Sequence, residues 1–202
     1  MPSFLIGLSG SLIAGLATFV GAMPVLIFRQ LNERWIAGML GFGGGVMMAA
    51  TAFSLIIPGT EAALRLGYDK GKTAIIMALG IAIGGWVLSL VHRFFPHEHF
   101  IKGKEGRTQG SLARIWLLIA AITLHNFPEG LAVGVSFGEG SGGNGWATAL
   151  GIGLQNLPEG LVVAISLISE NYSVAYALWV SLLTGLVEPI GGAVGLSVVT
   201  LA

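Results

Sequence analysis

Continuous apolar runs separated by short polar connections dominate the pattern of hydrophobic positions along the chain. Six of the runs are long enough to cross a bilayer as a helix, which takes about 20 residues. They cover residues 4–28, 35–58, 73–95, 112–137, 146–168 and 174–201. A membrane β-barrel would instead show segments of about ten residues with alternating polarity. The pattern therefore predicts an all-α membrane protein, a polytopic helical bundle with six transmembrane helices in a single transmembrane domain over residues 1–202.

Composition agrees with a membrane setting. Of the 202 residues, 54% are hydrophobic and only 10% are charged, and the mean hydropathy is +0.83. These values leave too little polar surface to cover a soluble globule, so we expect the lipid bilayer as a partner. The formal net charge of +0 argues against nucleic acid as a partner. The absence of cysteine excludes a disulfide framework and a thiolate metal site.

Basic residues are richest in the odd-numbered connections, above all in the third, and none follows Arg114. By the positive-inside rule, these connections face the cytoplasm, which places the N-terminus outside the cell membrane. Residues 96–111 are accordingly interpreted as a cytoplasmic loop. His92, His97 and His99 cluster at the start of this connection. They either bind a divalent cation or are interfacial histidines on a solvated linker.

A motif of thirteen residues occurs twice, once in the fourth span and once in the fifth. The stretch LHNFPEGLAVGVS begins at Leu124, and LQNLPEGLVVAIS begins at Leu154. Pro128 and Pro158 each remove a helical hydrogen bond. We therefore expect each helix to open at its proline, with the freed carbonyl facing protein, water or a ligand. Repeated, proline-interrupted spans mark substrate sites in secondary transporters.

Both motifs carry polar side chains three and four residues before a glutamate, which places them on one helical face. A pore or a site between helices is the expected position for such a face. The residues are His125, Asn126 and Glu129 in the first copy, and Gln155, Asn156 and Glu159 in the second.

Three glutamates lie inside predicted spans with no basic residue nearby in sequence to pair with them. They are Glu129, Glu159 and, in the stretch GLVEPIGG, Glu188. Arg65 and Lys72 flank spans and are expected to stay at the membrane interface. Carboxylates without cations must be protonated or neutralised by a ligand, and a group of them attracts a divalent cation.

The candidate ligands narrow the choice of cation. The imidazole of His125, together with carboxylate and amide oxygens, suits Zn²⁺, Fe²⁺, Mn²⁺ or Cd²⁺. Met47 in the second span either adds a soft thioether or is a packing residue. His125 itself is either a metal ligand or a hydrogen-bonded interior histidine.

Other functions explain fewer of these features. A proton-coupled carrier of an organic solute would use Glu129, Glu159 and Glu188 as a proton relay, but it does not explain the neighbouring histidine and amides. An intramembrane metalloprotease needs histidine at both ends of its motif and glutamate second, and HNFPE has neither feature. A purely structural membrane protein would have no use for three carboxylates without basic partners.

The stretches HNFPEG, QNLPEG and VEP resemble the signature of the ZIP (Zrt/Irt-like) metal transporters, in particular the GufA-like bacterial branch. The similarity covers essentially the whole chain. It implies a transporter, not an enzyme, that moves zinc, and also iron, manganese or cadmium, toward the cytoplasm between spans two, four, five and six. The metal is then the transported substrate, no cofactor is expected, and a homodimer is implied. The family pattern has eight spans, so we interpret this sequence as lacking the last two.

The resemblance also implies a two-metal site, residue by residue. His125, Glu129, Glu159 and Met47 match the ligands of one position, with Gln155 where other members often have histidine or glutamine. Asn126, Asn156 and Glu188 match the ligands of its neighbour, with Glu129 and Glu159 bridging. Some relatives carry aspartate where this chain has Asn156, which removes a negative charge from the second position.

Overall fold

The computed structural model describes residues 2–28, 32–94, 108–138 and 142–201. Those ranges contain α-helices and no strand, which confirms the all-α prediction for the described residues. A 3₁₀ turn follows the first helix, and a π-helical segment, Thr51–Ile56, joins the second to the third. The α-helices are α1 (Pro2–Ala22), α2 (Glu33–Ala50), α3 (Ile57–Arg65), α4 (Lys70–Phe94), α5 (Thr108–Gly138), α6 (Gly142–Ser169), α7 (Val174–Gly185) and α8 (Val187–Leu201).

Six helical segments are long and apolar enough to cross a membrane, as the sequence predicted. Of the loop predicted at 96–111, only the residues from Thr108 onward are described, and they already belong to α5. His97 and His99 lie outside the described residues. The six segments are Phe4–Leu26, Ala37–Arg65, Lys70–Val87, Ile115–Gly138, Asn144–Ser169 and Val174–Thr200.

The second span continues past Pro58, where the sequence predicted its end. The backbone N–H of Ile57 bonds to the carbonyl of Ala52, five residues earlier, which is the spacing of a π turn. Pro58 lies in the first turn of α3, directly after the π-helical segment. The helical course is therefore kept through this proline and ends at Arg65.

The sixth span consists of two helices instead of the predicted one. The regular helix is interrupted at Leu186, whose ψ is -4°. Pro189 explains the interruption, because it cannot donate to the carbonyl of Gly185 and its ring crowds that turn. Glu188 therefore lies in the first turn of α8, where the helix dipole favours a negative charge.

The interior of the bundle is built from α1 and from α5 to α8. α5 packs mainly against α8, and α1 packs mainly against α6. α2 joins this interior along α6, whereas α4 packs chiefly on α3. Large apolar side chains on α2 and α4, such as Phe42 and Trp86, are more than half exposed in the chain, as expected for helices that face lipid.

Aromatic contacts mark the two ends of the central helices. At one end Trp116 donates from Nε1 to the hydroxyl of Tyr172 at 3.3 Å, and at the other Phe137 and Trp146 pack edge to face. Tryptophan and tyrosine are typical of membrane–water interfaces. The rise of α5 between Trp116 and Phe137 is roughly 30 Å, the thickness of a bilayer core. The repeated motif therefore lies near the middle of the predicted spans.

Candidate metal centre

Both motif helices continue through their prolines. α5 contains Pro128 and α6 contains Pro158, and each remains one α-helix. Neither helix ends at its proline. The expected opening is therefore limited to the hydrogen bond that each proline cannot donate to the carbonyl four residues earlier, at Leu124 and at Leu154.

The glycine that follows each motif glutamate lets another helix approach closely. A side chain at Gly130 would collide with the backbone of Glu188 on α8, and one at Gly160 would collide with the backbone of Thr18 on α1. The two glycines therefore allow α8 to pack closely against α5, and α1 against α6, at the level of the motif. The backbone of Glu188 is thereby fixed beside the first copy.

Three predicted ligands converge. One ligand atom from each of His125, Glu129 and Glu159 lies within 4.8 Å of the others. Such a spacing lets one cation reach a nitrogen and two carboxylate oxygens, and each copy of the motif contributes a glutamate. Glu188 lies outside this group of three.

His125 and Glu129 differ in exposure. The Nε2 atom of His125 lies 3.5 Å from Oε1 of Glu129. The histidine side chain is 41% exposed and the glutamate side chain only 9%. His125 therefore forms the accessible side of the group, and the carboxylate of Glu129 forms its buried side.

The amide of Gln155 joins the two copies of the motif. Its Nε2 atom donates to Oε1 of Glu129 on the neighbouring helix and to Oδ1 of Asn156 at 2.9 Å. Helical spacing had placed Gln155 beside Glu159 of its own copy, but its hydrogen bond is to Glu129. The side-chain oxygen of Gln155, Oε1, is buried and has no hydrogen-bond donor among the described residues.

Asn156 and Glu188 form a second polar pair. Asn156 donates from Nδ2 to Oε1 of Glu188 and to the carbonyl of Ala14 at 2.8 Å. Both Asn156 and Glu188 are fully buried. Asn126, also fully buried, donates from Nδ2 to the carbonyl of Thr184 at 2.9 Å.

Several side-chain oxygens at the centre are buried without a hydrogen-bond donor in the described part of the chain. A buried acceptor without a donor is unfavourable, and carboxylate and amide oxygens are natural ligands of a cation. The arrangement can therefore hold a divalent cation. These oxygens are Oδ1 of Asn126, Oε1 of Gln155 and Oε2 of Glu129, Glu159 and Glu188.

Arg65 and Lys72, which flank spans two and three, do not supply the missing positive charge. Arg65 lies 3.8 Å from Glu61, and Lys72 lies 3.7 Å from Asp69, and all four side chains are mostly exposed. As the sequence suggested, Arg65 and Lys72 stay at the ends of their helices.

Met47 lies on the side of α2 that packs toward the second motif. A Cβ atom at Gly43, one turn earlier, would lie 3.5 Å from Pro158 and 3.6 Å from the carbonyl oxygen of Gln155. Residues four apart share a helical face, so Met47, which is half-buried, faces α6.

Two backbone contributions were missed from the sequence. The carbonyls of Ala14 and Thr184 accept hydrogen bonds from Asn156 and Asn126, respectively. No sequence signal identifies a backbone acceptor on a distant helix. The participation of α1 in the centre therefore emerges only from the fold.

Comparison with known proteins confirms the family that the motif resembles. The family profile described as ZIP zinc transporter matches residues 96–202. The chain is 43% identical over 196 residues to "Zinc transporter GufA" of Myxococcus xanthus, and the match covers 97% of this chain and 77% of that protein. It is 39% identical over 183 residues to "Zinc transporter ZIPB" of Bordetella bronchiseptica, covering 90% of this chain and 59% of that protein.

A third relative, "Zinc transporter ZupT" of Stenotrophomonas maltophilia, is 38% identical over 196 residues, covering 94% of this chain and 72% of that protein. The chain thus matches between 59% and 77% of the length of these three relatives. The similarity extends beyond the motif to nearly all of the chain, and we conclude that the chain belongs to the ZIP zinc transporter family.

Proposed function

We propose that this chain transports divalent transition-metal cations, zinc foremost, across the cell membrane toward the cytoplasm. The observation that carries the proposal is the convergence of His125, Glu129 and Glu159 at mid-span, beside buried oxygens that lack donors. Imidazole and carboxylate ligands suit zinc and also iron, manganese and cadmium. Membership of a transporter family agrees with the prediction that the chain is not an enzyme.

The charges in the group support a cation as the transported species. Two ionised carboxylates, Glu129 and Glu159, balance the charge of one Zn²⁺ ion, while His125 adds a neutral nitrogen ligand. No covalent chemistry is required, because transport needs only ligand exchange along the path. Carboxylates and imidazole bind a metal only when deprotonated, so binding releases protons.

The position of the group supports a path between the second, fourth, fifth and sixth spans. His125 is partly exposed, whereas Glu129 is nearly buried, so the ion would meet the imidazole first and the buried carboxylate afterwards. The cytoplasmic direction, the external N-terminus and the single transmembrane domain rest on the distribution of basic residues and on the resemblance. A homodimer is implied by the resemblance alone.

Zinc flux into liposomes tests the proposal. The full chain is reconstituted with a zinc-sensitive dye inside the vesicles, and Glu129→Gln is compared with Glu61→Gln. Glu61 is an exposed glutamate on α3 that pairs with Arg65, so it is a matched control for the substitution. We expect Glu129→Gln to lower the initial zinc flux at least about tenfold, since a charged ligand is lost, and Glu61→Gln to leave it unchanged.

Two outcomes would contradict the proposal. Normal zinc flux in Glu129→Gln would show that the three-residue group is not the transport site. Proton flux that proceeds without metal and is abolished by the same substitution would instead support the proton-coupled carrier of an organic solute.

A further inference from the structure

Asn156 has hydrogen-bond partners for both its nitrogen and its oxygen. Its Nδ2 atom donates to the carbonyl of Ala14 and to Oε1 of Glu188, and its Oδ1 atom accepts from Gln155. A backbone carbonyl can only accept a hydrogen bond. The nitrogen of Asn156 must therefore face α1, which fixes the orientation of the whole amide.

This orientation conflicts with a role as a metal ligand. The oxygen of Asn156 already faces the Nε2 donor of Gln155. Turning the amide to present its oxygen to an ion beside Glu188 would leave the carbonyl of Ala14 without its donor in a fully buried position. The amide of Asn156 is therefore oriented to donate a hydrogen bond to Glu188. It does not present its oxygen to an ion beside Glu188.

Glu188 makes its own contacts with α1, α5 and α6. Its backbone lies against Gly130, and a Cβ atom at Gly15 would lie 3.3 Å from its own Cβ atom. The residue is therefore set between α5 and α1, and one of its carboxylate oxygens is occupied by Asn156. It does not join the group of His125, Glu129 and Glu159.

We propose that Asn156 is a positioning residue that binds Glu188 as a neutral donor, so that the centre holds one metal ion per chain instead of two. The inference rests on the proposed function, because it concerns the same site. Gln155 extends the effect, since it links Asn156 to Glu129. A chain of two amides thereby holds one oxygen of Glu129 and one oxygen of Glu188 through neutral donors.

The number of zinc ions bound to the purified full chain tests this inference. Bound metal is counted after equilibrium dialysis against buffered zinc. Each form is compared with its own derivative in which Glu129, Glu159 and Glu188 are all replaced by glutamine, so that zinc held by loop histidines is subtracted. We expect the native chain to lose one ion in this comparison. Asn156→Asp should lose two, because an aspartate cannot donate to Glu188 and adds a carboxylate beside it.

Two further variants test whether the zinc count changes because the hydrogen bond between Asn156 and Glu188 is lost. Asn144→Asp makes the same substitution near the start of the same helix and should keep the count at one. Asn156→Asp combined with Glu188→Gln reverses donor and acceptor within the pair, because the new glutamine can donate to the new aspartate, and should return the count to one. A folding defect would lower the count and could not raise it to two.

The possible results distinguish this inference from the proposed function. Two ions in the native chain would overturn the inference and support the two-metal site. One ion in Asn156→Asp would also overturn it, because Asn156 would then not restrain Glu188. A zinc count that does not change when Glu129 and Glu159 are replaced would overturn the proposed function itself. If Asn156→Asp does not fold, the native count still decides between one ion and two.

Discussion

Gln155 on α6 donates a hydrogen bond from Nε2 to Oε1 of Glu129 on α5, so the amide of the second motif holds the carboxylate of the first. The two copies are therefore parts of one centre and not two independent sites. This cross-connection explains why both copies place an amide and a glutamate on the same face. It also leaves Oε1 of Gln155 and Oε2 of Glu129 buried without donors among the described residues.

Gln155→Leu should weaken zinc binding without removing a charge. Leucine keeps much of the volume but cannot hold Glu129, and loss of a residue that orients a metal ligand typically lowers affinity about 10- to 100-fold. Competition with a zinc chelator of known affinity measures the change in dissociation constant. Leu154→Ala, an exposed position one residue earlier, is the control and should bind zinc normally. An unchanged dissociation constant for Gln155→Leu would show that Glu129 needs no such support.

Separate alanine substitutions at His125, Glu129 and Glu159 should each abolish zinc-dependent uptake while the protein still inserts into the membrane. Each removes one of the three converging ligands, and none removes a large apolar side chain. Uptake of radioactive zinc by cells that express each variant gives the functional result. Detergent extraction and gel filtration show whether the variant is inserted and folded. Uptake at the native rate by any of the three would remove that residue from the ligand set.

The sequence predicted the helical class, the number of spans and the shared helical face within each motif, because all three depend on local periodicity and on residue spacing. That the two motifs form one site was implied by the resemblance to the ZIP family. Apolar runs of sufficient length define spans without any knowledge of packing. The hydrogen bond from Asn156 to Ala14 could not be predicted, since it depends on how closely α1 approaches α6. The interruption of the sixth span before Pro189 was not predicted either, although α5 and α6 continue through Pro128 and Pro158.

Zinc affinity should fall as the pH falls. His125, Glu129 and Glu159 bind the ion only in their deprotonated forms, so protons compete with zinc for the same atoms. The sign follows directly, since acid favours the protonated, metal-free state. The expected loss is about tenfold per pH unit for each proton that binding displaces. Calorimetric titrations in buffers of different ionisation enthalpy report the number of protons released. The measurement covers pH 6 to pH 8, roughly the range in which histidine titrates. If zinc binding released no proton there, protons would not compete with zinc for these ligands and the prediction would be wrong.

Gly160→Ala should destabilise the folded chain. Its new methyl group would collide with the backbone of Thr18 on α1, and forcing extra atoms into a packed interior typically costs about 1–3 kcal/mol. Gly44→Ala on α2 is the matched control, because nothing lies within 4 Å of the added carbon there. Thermal unfolding in detergent should show a lower Tm for Gly160→Ala and an unchanged or higher Tm for Gly44→Ala. Equal Tm values for both variants would contradict the close approach of α1 and α6.

The two motif prolines should respond differently to alanine, because their surroundings differ. Pro128 is exposed, whereas Pro158 is buried and faces Gly43 of α2. Alanine at either position restores the N–H that can bond to the carbonyl four residues earlier, and proline in a helix interior is about 3 kcal/mol less favourable than alanine. Pro128→Ala should therefore raise the Tm in detergent, while Pro158→Ala should gain less, since it loses packing against α2.

Zinc binding should change in the opposite direction at Pro128. The turn between His125 and Glu129 contains this proline, and a restored hydrogen bond would tighten the turn and shift the 3.5 Å approach of the two ligands. We expect Pro128→Ala to melt at a higher temperature and to bind zinc more weakly, as measured by chelator competition on the same preparation. A Pro128→Ala protein that melts earlier yet binds zinc normally would show that the proline shapes the packing of the bundle and not the metal centre.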